Sequence, residues 1–251
     1  MIPRIIHYCW FGQNPFPPSV KKCIKSWQKF CPEYQIIQWN ESNFDVNCNE
    51  YCKAMFAQKK WAFLTDYVRL KVIYEQGGIY LDTDVELIKP LDKLLSNGAY
   101  MGMETTETVN TGLGFGAEKH HWFIGENMKH YENWLPSDPV ETCPEITTRL
   151  LIPHGIVCSS AEEQHFGDLT VYPVDFFCPK HTRTGELRIT SNTCSIHRFD
   201  ASWHTKKQQK STKKRWRKYR IERMKNAPKI LLRRLIGDEK VEKLKQVLHR
   251  K

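Results

Sequence analysis

Two aspartates one residue apart, Asp82 and Asp84, close the run Gly77-Gly78-Ile79-Tyr80-Leu81-Asp82-Thr83-Asp84. Carboxylates at that spacing can converge on one hard divalent cation, Mg²⁺ or Mn²⁺, of the kind that carries a diphosphate. Asp-x-Asp alone is also a common solvated turn, so its neighbours decide its weight. Asp66 and Arg69 lie three residues apart in the preceding segment. There a guanidinium fork with a carboxylate partner could hold sugar hydroxyls or phosphate, or the two could form an ordinary helix-surface ion pair. His197 offers an imidazole that is either a late metal ligand or a structural side chain. Trp10 is either a core indole or a platform for a nucleotide base.

The elements that must position these residues follow from periodicity. Residues 4–10 are rich in β-branched and aromatic side chains and predict a first buried strand, with Trp10 at its carboxyl end. Residues 19–30 have helical spacing and are closed by Pro32; residues 34–39 predict a second strand. This β-α-β start argues for a doubly wound sheet with right-handed crossovers. Residues 50–76 read as helix in two pieces, stopped by the Gly pair, after which Ile79-Tyr80-Leu81 form a strand that delivers the acids. In an open α/β sheet that carboxyl edge is where ligands bind, and alternate residues of an extended segment would point Asp82 and Asp84 the same way. Residues 99–103, 113–117 and 169–172 predict further strands, and residues 122–131 and 145–151 helices. Asn110-Thr111-Gly112 reads equally as a cleft-lining turn or an ordinary loop. The following Gly-rich run lacks the last glycine of a dinucleotide fingerprint.

The formal charge of +10 on 251 residues resides in the tail. Residues 204–251 carry a net +15, leaving −5 on the rest of the chain. We expect a catalytic domain over residues 1–204 and a basic amphipathic helical tail over 205–251. Nine scattered cysteines without a Cys-x-x-Cys pair predict a reduced, cytoplasmic chain, and no apolar run reaches the length of a membrane span. The tail then suits peripheral contact with an anionic membrane on its inner face, or a helical appendage packed on the domain or on a second subunit. Two other classes compete. A haloacid-dehalogenase-type phosphatase would use Asp82 as nucleophile and Asp84 as acid, but it needs a later acidic pair, and no Asp-Asp occurs. A nucleic-acid-binding protein would use the basic tail, but no recognition motif accompanies it.

Taken together, these pieces resemble bacterial members of glycosyltransferase family 32, and more distantly the glucosylating domains of large bacterial toxins. The resemblance runs over residues 2–203: Ile2-Pro3-Arg4-Ile5-Ile6-His7 with Trp10, Ser26-Trp27, Asp66-Tyr67-Val68-Arg69, the Gly-Gly-to-Asp84 run, Tyr172-Pro173, and His197 to Ser202-Trp203. It implies an α/β fold of GT-A type, a Rossmann-like mixed sheet flanked by helices. It implies a metal-dependent hexosyltransferase that retains anomeric configuration, taking a nucleotide sugar, UDP-linked, to a saccharide or lipid-linked saccharide acceptor in surface polysaccharide synthesis. Carried over by position, Trp10 resembles the base-stacking aromatic, Asp66 and Arg69 the donor-sugar contacts, and Asp82 a ribose or sugar contact beside the metal. Asp84 and His197 resemble the metal ligands, and Ser202 and Trp203 the residues that hold the diphosphate. Thr65 stands where relatives often have Ser, which keeps the hydroxyl. Residues 105–167 match poorly and leave the acceptor, and any oligomer, open.

Overall fold

The run Ile5–Cys9, rich in β-branched and aromatic residues, forms strand β1 of a computed structural model that describes residues 1–200 and 206–236. A helix, α1 (Pro18–Phe30), leads from it to β2 (Gln35–Trp39), which pairs with β1 in parallel. Pro18 suits the first turn of α1, where its missing N–H costs nothing, and Val20, Cys23 and Trp27 form the buried stripe. Helix α2 (Glu50–Ala57) is capped by the Asn49 side chain, which accepts from Cys52 N at 2.8 Å. Helix α3 (Trp61–Gln76) ends at Gly77, whose φ of 67° is left-handed. Gly78, at φ 108°, opens β3 (Gly78–Tyr80), and a Cβ there would lie 2.8 Å from the Ile5 carbonyl oxygen. Only glycine permits that approach, and with it β3 pairs in parallel with β1.

His7 fixes this junction. Trp39 Nε1 donates to its Nδ1 at 3.0 Å, so the proton sits on Nε2, which donates to Gly77 O at 3.0 Å. Burial pushes its pKa down to about 4, so the ring is neutral. One buried side chain thus ties β1, β2 and the end of α3 into register just ahead of Asp82.

Beyond β3 the sheet turns mixed. In the order β2-β1-β3-β6-β5-β8-β7, β6 (Phe115–Ala117) is antiparallel to β3 and to β5 (Ala99–Gly102). β8 (Leu169–Tyr172) is parallel to β5, and β7 (Gln164–Phe166) closes the edge as an antiparallel hairpin. The helices α4 (Trp122–Glu132), α5 (Cys143–Leu151) and α6 (Val174–Phe177) complete the flanking layers. One core cluster, with Met55, Leu64, Phe115 and Phe123, packs against α2 and α3; the other, with Ile6, Trp27, Ile79 and Tyr100, packs against α1. The result is a mixed, helix-flanked α/β sheet, as the resemblance to a GT-A fold leads one to expect.

One local expectation is corrected. The acids do not continue an extended strand. The strand ends at Tyr80, and Asp82 O accepts from Val85 N at 2.9 Å, closing a turn that brings the two carboxylates together. The strand carrying His197, β9 (Ser195–His197), lies outside the main sheet and pairs with β4 (Val85–Leu87), with His197 opposite Val85. Helix α1 clamps this ribbon: Trp27 Nε1 donates to Val85 O at 2.8 Å and Ser26 Oγ accepts from Leu87 N at 2.9 Å. Glu86 is paired with Arg198 and Lys22, which holds its carboxyl below the ordinary range against the effect of burial.

The described residues fall into two units, one of Met1–Lys180 with the chain from Leu187 through β9, the other of His181–Glu186 with α7 (Lys206–Ile236). Within the second, Trp216 Nε1 donates to Thr182 O at 2.9 Å and Arg223 pairs with Glu186. Lys207, Lys210, Lys213, Lys214, Arg217 and Lys225 are exposed on α7, as are Ile221 and Met224.

Candidate active site

The turn after β3 and the end of β9 bring three ligand-bearing side chains together. Asp82, Asp84 and His197 each offer an atom, all within 4.8 Å of one another. His197 Nε2 lies 3.1 Å from Asp84 Oδ1, and Asp84 Oδ2 accepts from Asp200 N at 2.9 Å. Burial raises an acid's pKa, but the imidazolium charge, its hydrogen bond and the backbone N–H groups outweigh that and hold Asp84 low. Burial conversely disfavours charge on His197, and Asp84 overcomes it, so the ring titrates above its ordinary value. Two carboxylates and an imidazole suit Mn²⁺ or Mg²⁺, and an ion roughly 2 Å from each atom needs about this mutual spacing. His197 Nδ1 is buried and without a hydrogen-bond partner among the described residues, so the ring's one polar engagement is through Nε2.

A buried cation stands beside this cluster. Arg69 is 3% exposed and Asp66 7%, so the surface ion-pair alternative fails. Arg69 Nη1 lies 3.1 Å from Asp66 Oδ1, and its Nη2 lies 3.2 Å from Asp82 Oδ1. The guanidinium also donates to Thr111 Oγ1 and Thr65 Oγ1, each at 3.3 Å, and its carbon sits 5.0 Å from the Tyr80 ring centroid. Burial opposes its charge, yet Asp82, Tyr80 and Asp66 together hold it fully protonated. Burial pushes Asp66 up to about 6 despite Arg69, and likewise raises Asp82. The arrangement is a fixed donor fork between two carboxylates, with Asp82 belonging to both the fork and the ligand cluster.

Several members of the site carry no signal in the sequence. Tyr80, read as a strand residue, donates its hydroxyl to Asp82 Oδ1 at 3.0 Å. Cys143, in a segment without a motif, accepts from Arg69 Nη1 at 3.4 Å and donates to Asn110 Oδ1 at 3.3 Å. Asn110-Thr111-Gly112 proves to line the site: Asn110 Oδ1 caps the turn through Gly112 N at 2.6 Å. A Cβ on Gly112 would come within 2.7 Å of Asp82 Oδ2, so glycine there lets Asp82 keep its position.

Trp10 follows β1 on the same carboxyl edge of the parallel strands. It is half-buried, belongs to neither core cluster, and lines an open cleft of about 490 Å³ with Asn14, Phe16, Gln38, Asn40 and Glu41. Its Nε1 donates to Asn14 O at 2.6 Å and Phe16 meets its ring edge-on at 5.1 Å. Ser202 and Trp203 lie outside the described residues.

Comparison with known proteins agrees with this geometry. Residues 17–100 match the family described as the glycosyltransferase sugar-binding region containing DXD motif. Human alpha-1,4-N-acetylglucosaminyltransferase is 29% identical over 126 residues, 49% of this chain and 35% of that protein. Inositol phosphoceramide mannosyltransferase 1 of Schizosaccharomyces pombe is 28% identical over 172 residues, 61% of this chain and 54% of that protein. The chain spans about half or less of the length of these curated relatives. Among solved structures, the PaToxG glycosyltransferase aligns with a TM-score of 0.48 at 18% identity, over 61% of this chain and 69% of that one. Residues 17–100 are thus similar to the DXD-containing sugar-binding region of glycosyltransferases.

Proposed function

We propose that the chain transfers a hexose, with retention, from a UDP-linked nucleotide sugar to a hydroxyl of a saccharide or lipid-linked saccharide acceptor in surface polysaccharide synthesis. The observation that carries the reading is the convergence of Asp82, Asp84 and His197 beside the buried Asp66–Arg69–Asp82 fork. A Mn²⁺ or Mg²⁺ ion held by Asp82, Asp84 and His197 would neutralise the charge that grows on a departing diphosphate. The chain's own residues supply the rest. Arg69 presents a prepaid, fully ionised fork, and Asp66 holds it in place, so sugar hydroxyls meet donors and acceptors that need no reorganisation. Trp10 offers a ring face to the base, with Ser202 and Trp203 contacting the diphosphate.

The phosphatase alternative gains no support, because Asp82 is engaged by Arg69 and Tyr80 rather than free as a nucleophile. A lipid-linked acceptor is favoured by the relative named for mannosyl transfer to inositol phosphoceramide. The exposed basic residues of α7, with Ile221 and Met224 among them, suit an anionic membrane surface. Peripheral contact is the proposed mode; among the described residues no helix is long and apolar enough to cross a membrane. Release of nucleoside diphosphate from a panel of UDP- and GDP-sugars, with Mn²⁺ and with chelator, tests the reading. Metal-dependent release from a UDP-hexose is expected; phosphate release from p-nitrophenyl phosphate with none from nucleotide sugars would overturn it.

A further inference from the structure

On the donor side of the site the carboxylates of Asp66, Asp82 and Asp84 are each engaged by Arg69 or His197. One carboxylate at the same sheet edge is not. Glu104 follows β5 at its carboxyl end, where β5 runs in the same direction as β3, and it lies across β6 from the Asp82 turn. A tight turn holds it there, since its N–H donates to Thr108 O at 2.8 Å. Its Oε2 accepts from Asn110 Nδ2 at 3.2 Å, and the other end of that amide caps the turn that packs Gly112 against Asp82. Among the described residues Glu104 pairs with no Lys or Arg, and its Oε1 has no hydrogen-bond partner. The side chain is only partly buried. A carboxylate kept half out of water and anchored through one oxygen is suited to accept a hydroxyl hydrogen with the other.

We propose that Glu104 is an acceptor-binding residue, whose free oxygen receives a hydroxyl of the incoming saccharide on the β5–β8 side of the donor site. This rests on the glycosyltransferase reading above. Its chemistry favours a neutral polyol over an anionic acceptor group, because a second negative charge would meet Glu104 directly. Asn110 then acts as the positioning residue that couples this acceptor contact to the Asp82 turn.

The test uses the full chain with Mn²⁺ and a UDP-hexose, with transfer measured to a panel of p-nitrophenyl glycosides and hydrolysis measured with water as acceptor. Glu104→Gln, which keeps the side-chain volume and an oxygen for Asn110, is expected to raise the acceptor KM tenfold or more. The donor KM should move less than twofold, and the ratio of transfer to hydrolysis should fall at least tenfold. Glu104→Asp, which restores the charge, should recover part of the acceptor KM. An unmoved acceptor KM, or a donor KM that rises in step with it, would overturn the assignment while leaving the glycosyltransferase reading intact. A wild-type chain that neither transfers nor hydrolyses would refute both.

Discussion

Replacing Arg69 by Lys isolates what the planar fork contributes. The substitution keeps the charge, so long-range electrostatics hardly change. The guanidinium, however, reaches Asp66 through Nη1 at 3.1 Å and Asp82 through Nη2 at 3.2 Å. A single ammonium on a shorter reach satisfies one carboxylate and leaves the other buried without a partner. Breaking one side of a buried pair costs about 3 kcal/mol or more, and the lost stacking on Tyr80 adds roughly 1 kcal/mol. We therefore expect Arg69→Lys to lose about 3–4 kcal/mol of unfolding free energy in urea at pH 7. The part that orients the sugar should appear separately, as a fall of about 30- to 100-fold in kcat/KM, equivalent to roughly 2–3 kcal/mol. A double-mutant cycle with Asp66→Asn should return a coupling energy above about 1 kcal/mol, because the two groups share one contact. Arg69→Lys with stability within about 0.5 kcal/mol of wild type and an unchanged kcat/KM would refute the reasoning.

Three further outcomes are expected. Trp10→Ala should raise the donor KM about tenfold with a smaller change in kcat, since a stacked base is worth roughly 1–3 kcal/mol in ground and transition states alike; steady-state kinetics at saturating metal read this, and loss of folding would return Trp10 to a structural role. His7 has a folded pKa near 4, below its unfolded value of 6.5. The unfolded chain therefore takes up the proton first, and the stability that neutral His7 contributes is full above pH 6.5 and is lost as pH falls toward 4. Urea unfolding should show about 1.6 kcal/mol more loss between pH 6.5 and pH 5 in the wild type than in His7→Gln, and equal slopes would count against the buried neutral ring. Removal of residues 205–251 should abolish sedimentation with anionic liposomes; a full-length chain that ignores such liposomes at low salt would dismiss the membrane proposal.

The parts of this molecule that obey a local rule were legible before the fold was known. The β-branched run of β1, the Pro-led α1 and the Gly pair after α3 each carry their own signal, and the structure places them within a residue or two of expectation. Asp66, Arg69, Asp82, Asp84 and His197 are joined as a set by the family resemblance, since the residues alone leave a surface ion pair and a structural histidine open; the structure brings their side chains together. What the chain does not spell out are long-range events. The β4–β9 ribbon is invisible locally, since Val85 and His197 are paired only through tertiary structure. Cys143 reaches Arg69 from α5 across 74 residues of sequence, and a thiol accepting from a guanidinium has no composition signature. The turn at Asp82–Val85 was read as strand because Ile79-Tyr80-Leu81 has β character. The backbone bond to Asp82 O decides otherwise, and it closes a turn where an extended strand would hold the two carboxylates on one face about 7 Å apart.

The central claim, a metal-dependent donor site at the Asp82–Asp84 turn, is tested most directly by titrating Mn²⁺ into nucleotide-sugar cleavage by wild type and Asp84→Asn, with a thermal melt of each. Asparagine keeps the volume and an oxygen for Asp200 N but removes one anionic oxygen beside His197. The account predicts wild-type activity that saturates with Mn²⁺ and vanishes in chelator, and an Asp84→Asn chain that melts within a few degrees of wild type but turns over about 100-fold more slowly or worse at every Mn²⁺ concentration. Wild-type cleavage that is indifferent to chelator, or a folded Asp84→Asn chain with near-normal turnover, would contradict it.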